Sequence, residues 1–238
     1  MLKINNLNHT YNIPGGKLDV LQNIDLSVKQ GEFVIIMGES GSGKTTFINA
    51  VSTLLQPTSG EVYINNQDIT ALKGNELETL RLHDVSYIFQ ENYMVEGLTI
   101  LENIIVSRLQ YDEKASEKGL ALMSKLGIED LKDKYPHQIS GGERQRAAIC
   151  RALINEPKIL FADEPTASLN PKTAKSLMES LQELNREGYT ILMVTHSITT
   201  ASYGSRLLVL ADNNFKLDKS IPNENAHEFI VKNVAEYL

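Results

Sequence analysis

The sequence predicts an α/β fold: a mostly parallel sheet covered by helices on both faces, an antiparallel β-subdomain ahead of it, and an α-helical subdomain inserted into it. Three observations predict this. The short apolar runs "FVIIM", "ILFA" and "TILMV" lack the alternation of half-buried strands and read as strands buried on both faces. They alternate with stretches of helical spacing, which implies parallel strands joined by crossover helices. Between Leu98 and Ile154, helical patterns follow one another with no strand between them, which marks the insert.

Taken in order, "MLKINNLNHTY" and "LQNIDLSVKQGE" alternate apolar and polar residues as half-buried strands do. "EFVIIMG" is a buried strand ending on a glycine; the loop Gly38–Lys44 follows, then a helix over "TTFINAVSTLL" closed by "QPTSG". "EVYINNQDI" is a strand, "GNELETLRLHD" a short polar helix and "VSYIFQ" a strand. The insert holds helices over "TILENIIVSRLQY" and "EKASEKGLALMSKLGI" and a third opening at "QISGGERQRAAICRAL", where Ser140 caps and Glu143 closes a capping box. "KILFADEP" returns to buried strand. "PKTAKSLMESLQELNREG" is a helix stopped by Gly188, and "YTILMVTHS" and "RLLVLAD" are strands. From Asn223 to Leu238, apolar residues at Ala226, Phe229, Ile230, Val234 and Tyr237 have the spacing of a docking helix. The 238 residues thus read as one domain, with a core from 1–90 and 157–238 and a helical subdomain over 91–156.

Composition narrows the partners. A net charge of −7 argues against gripping a nucleic-acid backbone. The single cysteine, Cys150, allows no internal disulfide, which suits a reducing compartment; inside a helix it reads as a small core residue. No run approaches the roughly 20 apolar residues of a membrane span, and "MLKINNLNHTY" lacks the apolar run of a signal peptide. The expectation is a cytoplasmic chain with no direct membrane span, whose membrane role comes through a partner.

The chemistry sits at the ends of the buried strands. Gly38, Glu39, Ser40, Gly41, Ser42, Gly43, Lys44 and Thr45 match the G-x-x-x-x-G-K-[ST] phosphate loop, with Thr46 following. Its glycines turn backbone N–H groups onto phosphate oxygens, Lys44 offsets β- and γ-phosphate charge, and the Thr45 hydroxyl suits Mg²⁺. Asp163, ending a buried strand, is placed to hold that metal through water. The adjacent Glu164 is positioned to orient and deprotonate an attacking water. A lone histidine is more often structural, but His196 ends a strand at the carboxyl edge, where open α/β sheets bind ligands, and points to the γ-phosphate. Gln90 ends "VSYIFQ" the same way and offers an amide to Mg²⁺ or water. Tyr11, on the first hairpin, offers a ring to stack on adenine. Ser140–Glu143 is a second anion-favouring helix start in one small chain.

With these residues in order, the chain resembles the ATP-binding subunits of ABC transporters, the similarity running over essentially its whole length. Ser140-Gly141-Gly142-Glu143 is similar to the family signature, usually S-G-G-Q. "LTILENI", "YPHQISGGERQR", "FADEPTASLNPKT" and "ALKGNELETLRLHDVSYIFQ" resemble the group serving macrolide exporters, lipoprotein release and antimicrobial-peptide resistance. The resemblance implies an ATP-dependent head-to-tail homodimer, each bound ATP covered in trans by the partner's Ser140 turn. Glu164 is then the catalytic base and His196 the γ-phosphate switch. Lys44 and Gln90 act beside them, Gln90 also linking to the helical subdomain. Thr45, Gln90 and Asp163 hold Mg²⁺, and Tyr11 stacks on adenine. Ser168, Leu169 and Asn170 form a dimer loop; the family usually ends it in Asp, so Asn170 implies weaker communication between sites. Tyr93, Met94 and Val95 fall where the family receives its membrane permease. Two readings share this ATP site: an ATPase that powers transport, and an ATP-driven mechanical or signalling switch on a membrane partner. A phosphate-loop kinase would need an acceptor pocket and a basic lid, and a DNA-maintenance ATPase would need long coiled-coil arms.

Overall fold

The continuous apolar runs become strands buried along their whole length at 33–37, 159–163 and 190–194. A computed structural model describes residues 1–91 and 93–237; Asn92, within the stretch expected to meet the permease, and Leu238, at the end of the expected tail helix, lie outside the described residues. The chain opens with a long hairpin, β1 (Leu2–Ile13) and β2 (Gly16–Val28), followed by β3 (Phe33–Met37), α1 (Lys44–Val51), β4 (Ser59–Ile64), β5 (Gln67–Asp68), α2 (Asn75–His83) and β6 (Val85–Ile88). Helices α3 (Ile100–Ile105), α4 (Ala115–Lys125) and α5 (Gly141–Leu153) come next. The chain then forms β7 (Ile159–Asp163), α6 (Pro171–Arg186), β8 (Thr190–Val194), α7 (Ile198–Ala201), β9 (Arg206–Ala211), β10 (Asn214–Ser220) and α8 (Ala226–Val234).

Two sheets result. An antiparallel sheet has the order β2-β1-β4-β5, and a six-stranded sheet has the order β10-β9-β3-β8-β7-β6. In the larger sheet only the edge strand β10 runs antiparallel to its neighbour. Alternate side chains of β3 enter two separate cores: Phe33, Ile35 and Met37 join helices α3 to α6 and α8, while Val34 and Ile36 join α1 and the antiparallel sheet. A sheet covered on both faces has no polar face to show, which is why the interiors of its central strands are apolar and their polar residues stand at the ends.

The first hairpin changes phase. Leu2 and Ile4 are buried, then Leu7 and His9, so the inward positions move from even to odd. The ladder to β2 shifts register between Ile4 and Leu7, and Asn6 and Asn23 take left-handed φ of 47° and 49°. Asparagine tolerates that region better than most residues, and such bulges re-aim the strand beyond them.

Several boundaries differ from those the sequence predicts. The helix expected over 99–111 stops after Ile105, where Arg108 turns to pair with Asp112 at 2.8 Å and to donate to the Ile154 carbonyl. The helix after the phosphate loop ends at Val51 because Thr53 adopts φ 72°. The second strand begins at Gly16 rather than Leu21, and β10, with only Phe215 and Leu217 apolar, and the single turn of α7 lie outside the predicted elements.

Ahead of α3, a buried asparagine organises the chain. Asn103, 1% exposed, accepts from the Val95 N–H at 2.7 Å and donates to the carbonyls of Val95, Leu98 and Thr99, each at 3.0 Å. It supplies the pairing that irregular backbone cannot make with itself. Asn103→Leu, which keeps the branched outline and strands these groups, should lower stability by about 2–3 kcal/mol in urea denaturation. An unchanged midpoint would show that other contacts hold the segment.

Candidate functional site

Parallel register brings the strand ends level. Ile36 of β3 and Asp163 of β7 both pair with Val194 of β8, and Ile88 of β6 pairs with Ala162. The loops leaving these strands therefore start at one edge of the sheet, where open α/β folds bind ligands. Tyr11, Ser40, Gly41, Gly43, Lys44, Thr45, Thr46, Gln90, Glu164 and His196 line one cleft of about 450 Å³ there. A cavity of about 490 Å³ at the opposite, amino ends of the strands, beside Gln30, Lys158 and Tyr189, holds none of the candidate site residues.

The phosphate loop is built by close approach. Gly43, the N-cap of α1, has φ 99°, and a Cβ there would sit 2.8 Å from the Val20 side chain of β2. Lys44 opens the helix and folds its ammonium back over the loop, donating to the carbonyls of Gly38 at 2.8 Å and Glu39 at 2.7 Å. Two of its three N–H donors are thus used. Burial pushes its pKa down, and the charges of Glu164 and Asp163 oppose that shift. The first turn of α1 carries no acidic residue of its own to offset the positive end of its dipole. The Ser42 hydroxyl is buried without a partner among the described residues. A loop with spare N–H donors, a buried cation and an unpaired hydroxyl fits an anion.

Asp163 lies under Thr45, the hydroxyl donating to its Oδ1 at 3.5 Å, and receives the Tyr87 hydroxyl at 3.4 Å. Burial raises its pKa above the usual carboxylate range. Burial above all, then Asp163, pushes the Tyr87 phenol far up, so that it stays a neutral donor, its one proton shared between Asp163 and Asn49 Oδ1, the latter at 2.9 Å. Tyr87 and Asn49 were not singled out from the sequence, although an inward Tyr in an apolar strand needs a partner for its hydroxyl. Thr45, Asp163 and Gln90 present hydroxyl, carboxylate and amide oxygens, a donor set that fits a hard cation such as Mg²⁺. Among the described residues no cluster of three His, Cys, Asp or Glu side chains could hold a metal alone. Such a site suits an ion that takes its other ligands from phosphate and water.

Glu164 takes φ 47°, an uncommon backbone region for a non-glycine residue and one that recurs at functional sites. Its N–H donates to the Val194 carbonyl at 3.0 Å, and its carboxylate meets His196 Nδ1 at 2.7 Å. The same pair borders a second cavity of about 490 Å³, shared with Leu169, Met178 and Tyr203. The Ser168–Asn170 loop thus lies on the far side of Glu164 and His196 from the phosphate loop. Asn170 caps α6, its Oδ1 accepting from the Thr173 N–H at 3.0 Å, a local role the sequence reading missed. Tyr11 borders the cleft with Leu18 and Val20, two apolar residues also missed because the second strand was expected to begin later.

Ser140–Glu143 does not line the cleft. Ser140 caps α5 with the predicted box: its N–H donates to the Glu143 carboxylate at 2.8 Å and its hydroxyl donates at 2.6 Å. These bonds, the hydroxyl's first, hold the Glu143 pKa below its ordinary value. Gly142 presses on α6, where a Cβ would meet Thr173 at 2.3 Å. Tyr93 and Val95 are 60% and 54% exposed, while Met94 packs on the core. Cys150 is fully buried, and burial pushes its thiol up to about 12, leaving it inert. No helix among the described residues is long and apolar enough to cross a membrane.

Fold and cleft together define a phosphate-loop nucleotide-binding protein with a helical insert between β6 and β7. A sequence profile described as "ABC transporter" matches residues 21–167. The bacitracin export ATP-binding protein BceA of Halalkalibacterium halodurans is 44% identical over 216 residues, covering 89% of this chain and 85% of that one. The lipoprotein-releasing system ATP-binding protein LolD of Aquifex aeolicus is 42% identical over 197 residues, covering 82% and 88%. The dimeric, post-hydrolysis structure of the ATP-binding cassette MJ0796 of Methanocaldococcus jannaschii, bound to ADP and Pi, superposes with a TM-score of 0.86 at 35% identity over 94% of this chain and 100% of that one. The chain belongs to the ABC transporter family, as its ATP-binding subunit.

Because Asn and Asp cap helices about equally well, Asn170→Asp should leave stability within about 0.5 kcal/mol, whereas Asn170→Ala should cost about 1 kcal/mol. A thermal scan in which both variants lose the same amount would assign the cap to the amide nitrogen's contacts instead.

Proposed function

We propose that the chain is an ATPase whose nucleotide-driven dimerisation powers a membrane transporter. The observation that carries this reading is the convergence of Lys44, Thr45, Gln90, Glu164 and His196 on one cleft while the Ser140 turn stays outside it, capped and partly exposed. A nucleotide held in the cleft would leave its outer phosphate oxygens open to a second helix N-terminus supplied by a twin molecule. The dimeric MJ0796 structure with ADP and Pi supports that arrangement.

In this reading Gly38–Thr46 and Lys44 hold the phosphates, and Tyr11 stacks on the adenine. Thr45, Gln90 and Asp163 would hold Mg²⁺, which when bound offsets phosphate charge. Glu164 accepts a proton from water as its oxygen attacks the γ-phosphorus; the β–γ bond breaks and ADP leaves with the electron pair. His196, bonded through Nδ1 to Glu164, keeps Nε2 for the γ-phosphate and can hold the carboxylate in place. Ser140, Gly141, Gly142 and Glu143 cover the partner's ATP, and Ser168–Asn170 meets the partner beside Glu164. Residues 91–156 act as the helical subdomain, between core segments 1–90 and 157–238. Its exposed Tyr93 and Val95, with Met94, receive the permease at the cytoplasmic face of the membrane. The relatives' names, bacitracin export and lipoprotein release, support transport as the work done.

Glu164→Gln should cut ATP turnover by about 10²–10⁴-fold, keep ATP affinity and accumulate an ATP-bound dimer on light scattering. Wild-type turnover would remove Glu164 from the base role, and a strict monomer at saturating ATP would remove the trans site. Lys44→Ala should abolish ATP binding in calorimetry, and retained affinity would contradict the phosphate-loop reading.

A further inference from the structure

One buried titratable side chain has no part in the site so far. His9 is 6% exposed, and neither ring nitrogen has a hydrogen-bond partner among the described residues. A neutral imidazole carries one N–H, so a donor is left unpaired, which native structures rarely tolerate without reason. The ring has a close aromatic neighbour instead. Tyr11, two residues on and on the same side of β1, lies with its centroid 4.5 Å away at an interplanar angle of 78°. In that arrangement the electropositive edge of one ring meets the electron-rich face of the other. Register shifts flank His9 on both sides, and bulges of this kind aim side chains. The far end of Tyr11 is tied separately, its hydroxyl 3.3 Å from Thr46 Oγ1 on α1. Burial lowers the imidazole pKa, so the ring stays neutral and acts as an aromatic wedge.

We propose that His9 is a positioning residue for the purine base: it wedges the Tyr11 ring between β1 and α1, so that the base platform is set before nucleotide arrives. This rests on the reading of Tyr11 as the adenine platform. The wedge acts on the base alone, because the phosphates are held by the loop and Lys44.

Calorimetry with two probes tests it: ATP, and inorganic tripolyphosphate, which has the phosphate chain without the base. His9→Ala should weaken ATP binding by about three- to tenfold and leave tripolyphosphate binding unchanged. His9→Phe, which keeps an aromatic edge, should restore ATP affinity; His9→Gln, also ringless, replaces the alanine variant if that does not fold. Equal losses for both probes, no loss for ATP, or a Phe variant as weak as the Ala variant would each overturn the inference. Tyr11→Ala separates the two levels. If it leaves the ratio of the two affinities at the wild-type value, the platform reading fails and the inference with it. If it lowers that ratio while His9→Ala does not, the inference alone falls.

Discussion

The parallel register that sets Ile36, Asp163 and Val194 at one level of the sheet is the constraint on which the rest depends. Backbone hydrogen bonds fix that level to the residue, and three loops of different sequence then begin side by side. A slip of one residue in β7 would carry Asp163 away from Thr45, 3.5 Å from it here, and would exchange the side chains that face the two cores. The pairing is protected by burial: 33–37, 159–163 and 190–194 are sealed on both faces. Water therefore offers these backbone groups no alternative to the ladder. The apolar character of the strands and the alignment of the polar groups at their ends have one cause.

Electrostatics at that edge is arranged around scarcity of solvent. Lys44, at 8% exposure, and Asp163, at 7%, are each disfavoured in their charged forms by burial, and the charges between them only partly offset this. A phosphate group with a divalent cation would supply the charges that both lack. Glu164 stands apart: its left-handed backbone turns it off the strand, and its carboxylate leans on the largely exposed His196. The two adjacent carboxylates thus face different surroundings, Asp163 sealed beneath Thr45 and Glu164, itself 13% exposed, set against a solvent-facing imidazole.

Much of this was legible from residue order because the relevant signals are local. The loop Gly38–Thr46, the capping box of Ser140 and Glu143, and the strand-end positions of Asp163, Glu164 and His196 are each written within a few consecutive residues. What escaped depends on contacts distant in the chain. Tyr87 matters because Asp163 and Asn49 lie beside it, and Asn103 because its helix begins under an irregular stretch. Leu18 and Val20 escaped because the expected second strand begins at Leu21, while in the fold the hairpin is paired from Ile13 and Gly16 onward. Asn170 drew notice as a lost charge, whereas the oxygen it keeps is the one that caps α6. Strand β10 is an edge strand that reaches the two cores through Phe215 and Leu217 alone, which is why its apolar content is low.

The phase change at Asn6 lets the first hairpin keep one core while re-aiming its far end. Leu2 and Ile4, before it, and Leu7, just after it, are sealed in one core, whereas Tyr11, further along, reaches the cleft. The kink works as a joint between a foundation and a cantilever. Changes of length or sequence near Gly15 and Gly16 can reshape the overhang without disturbing the footing. Loss of a single residue at the joint itself would turn the overhang inside out, facing Tyr11 away from the cavity it borders.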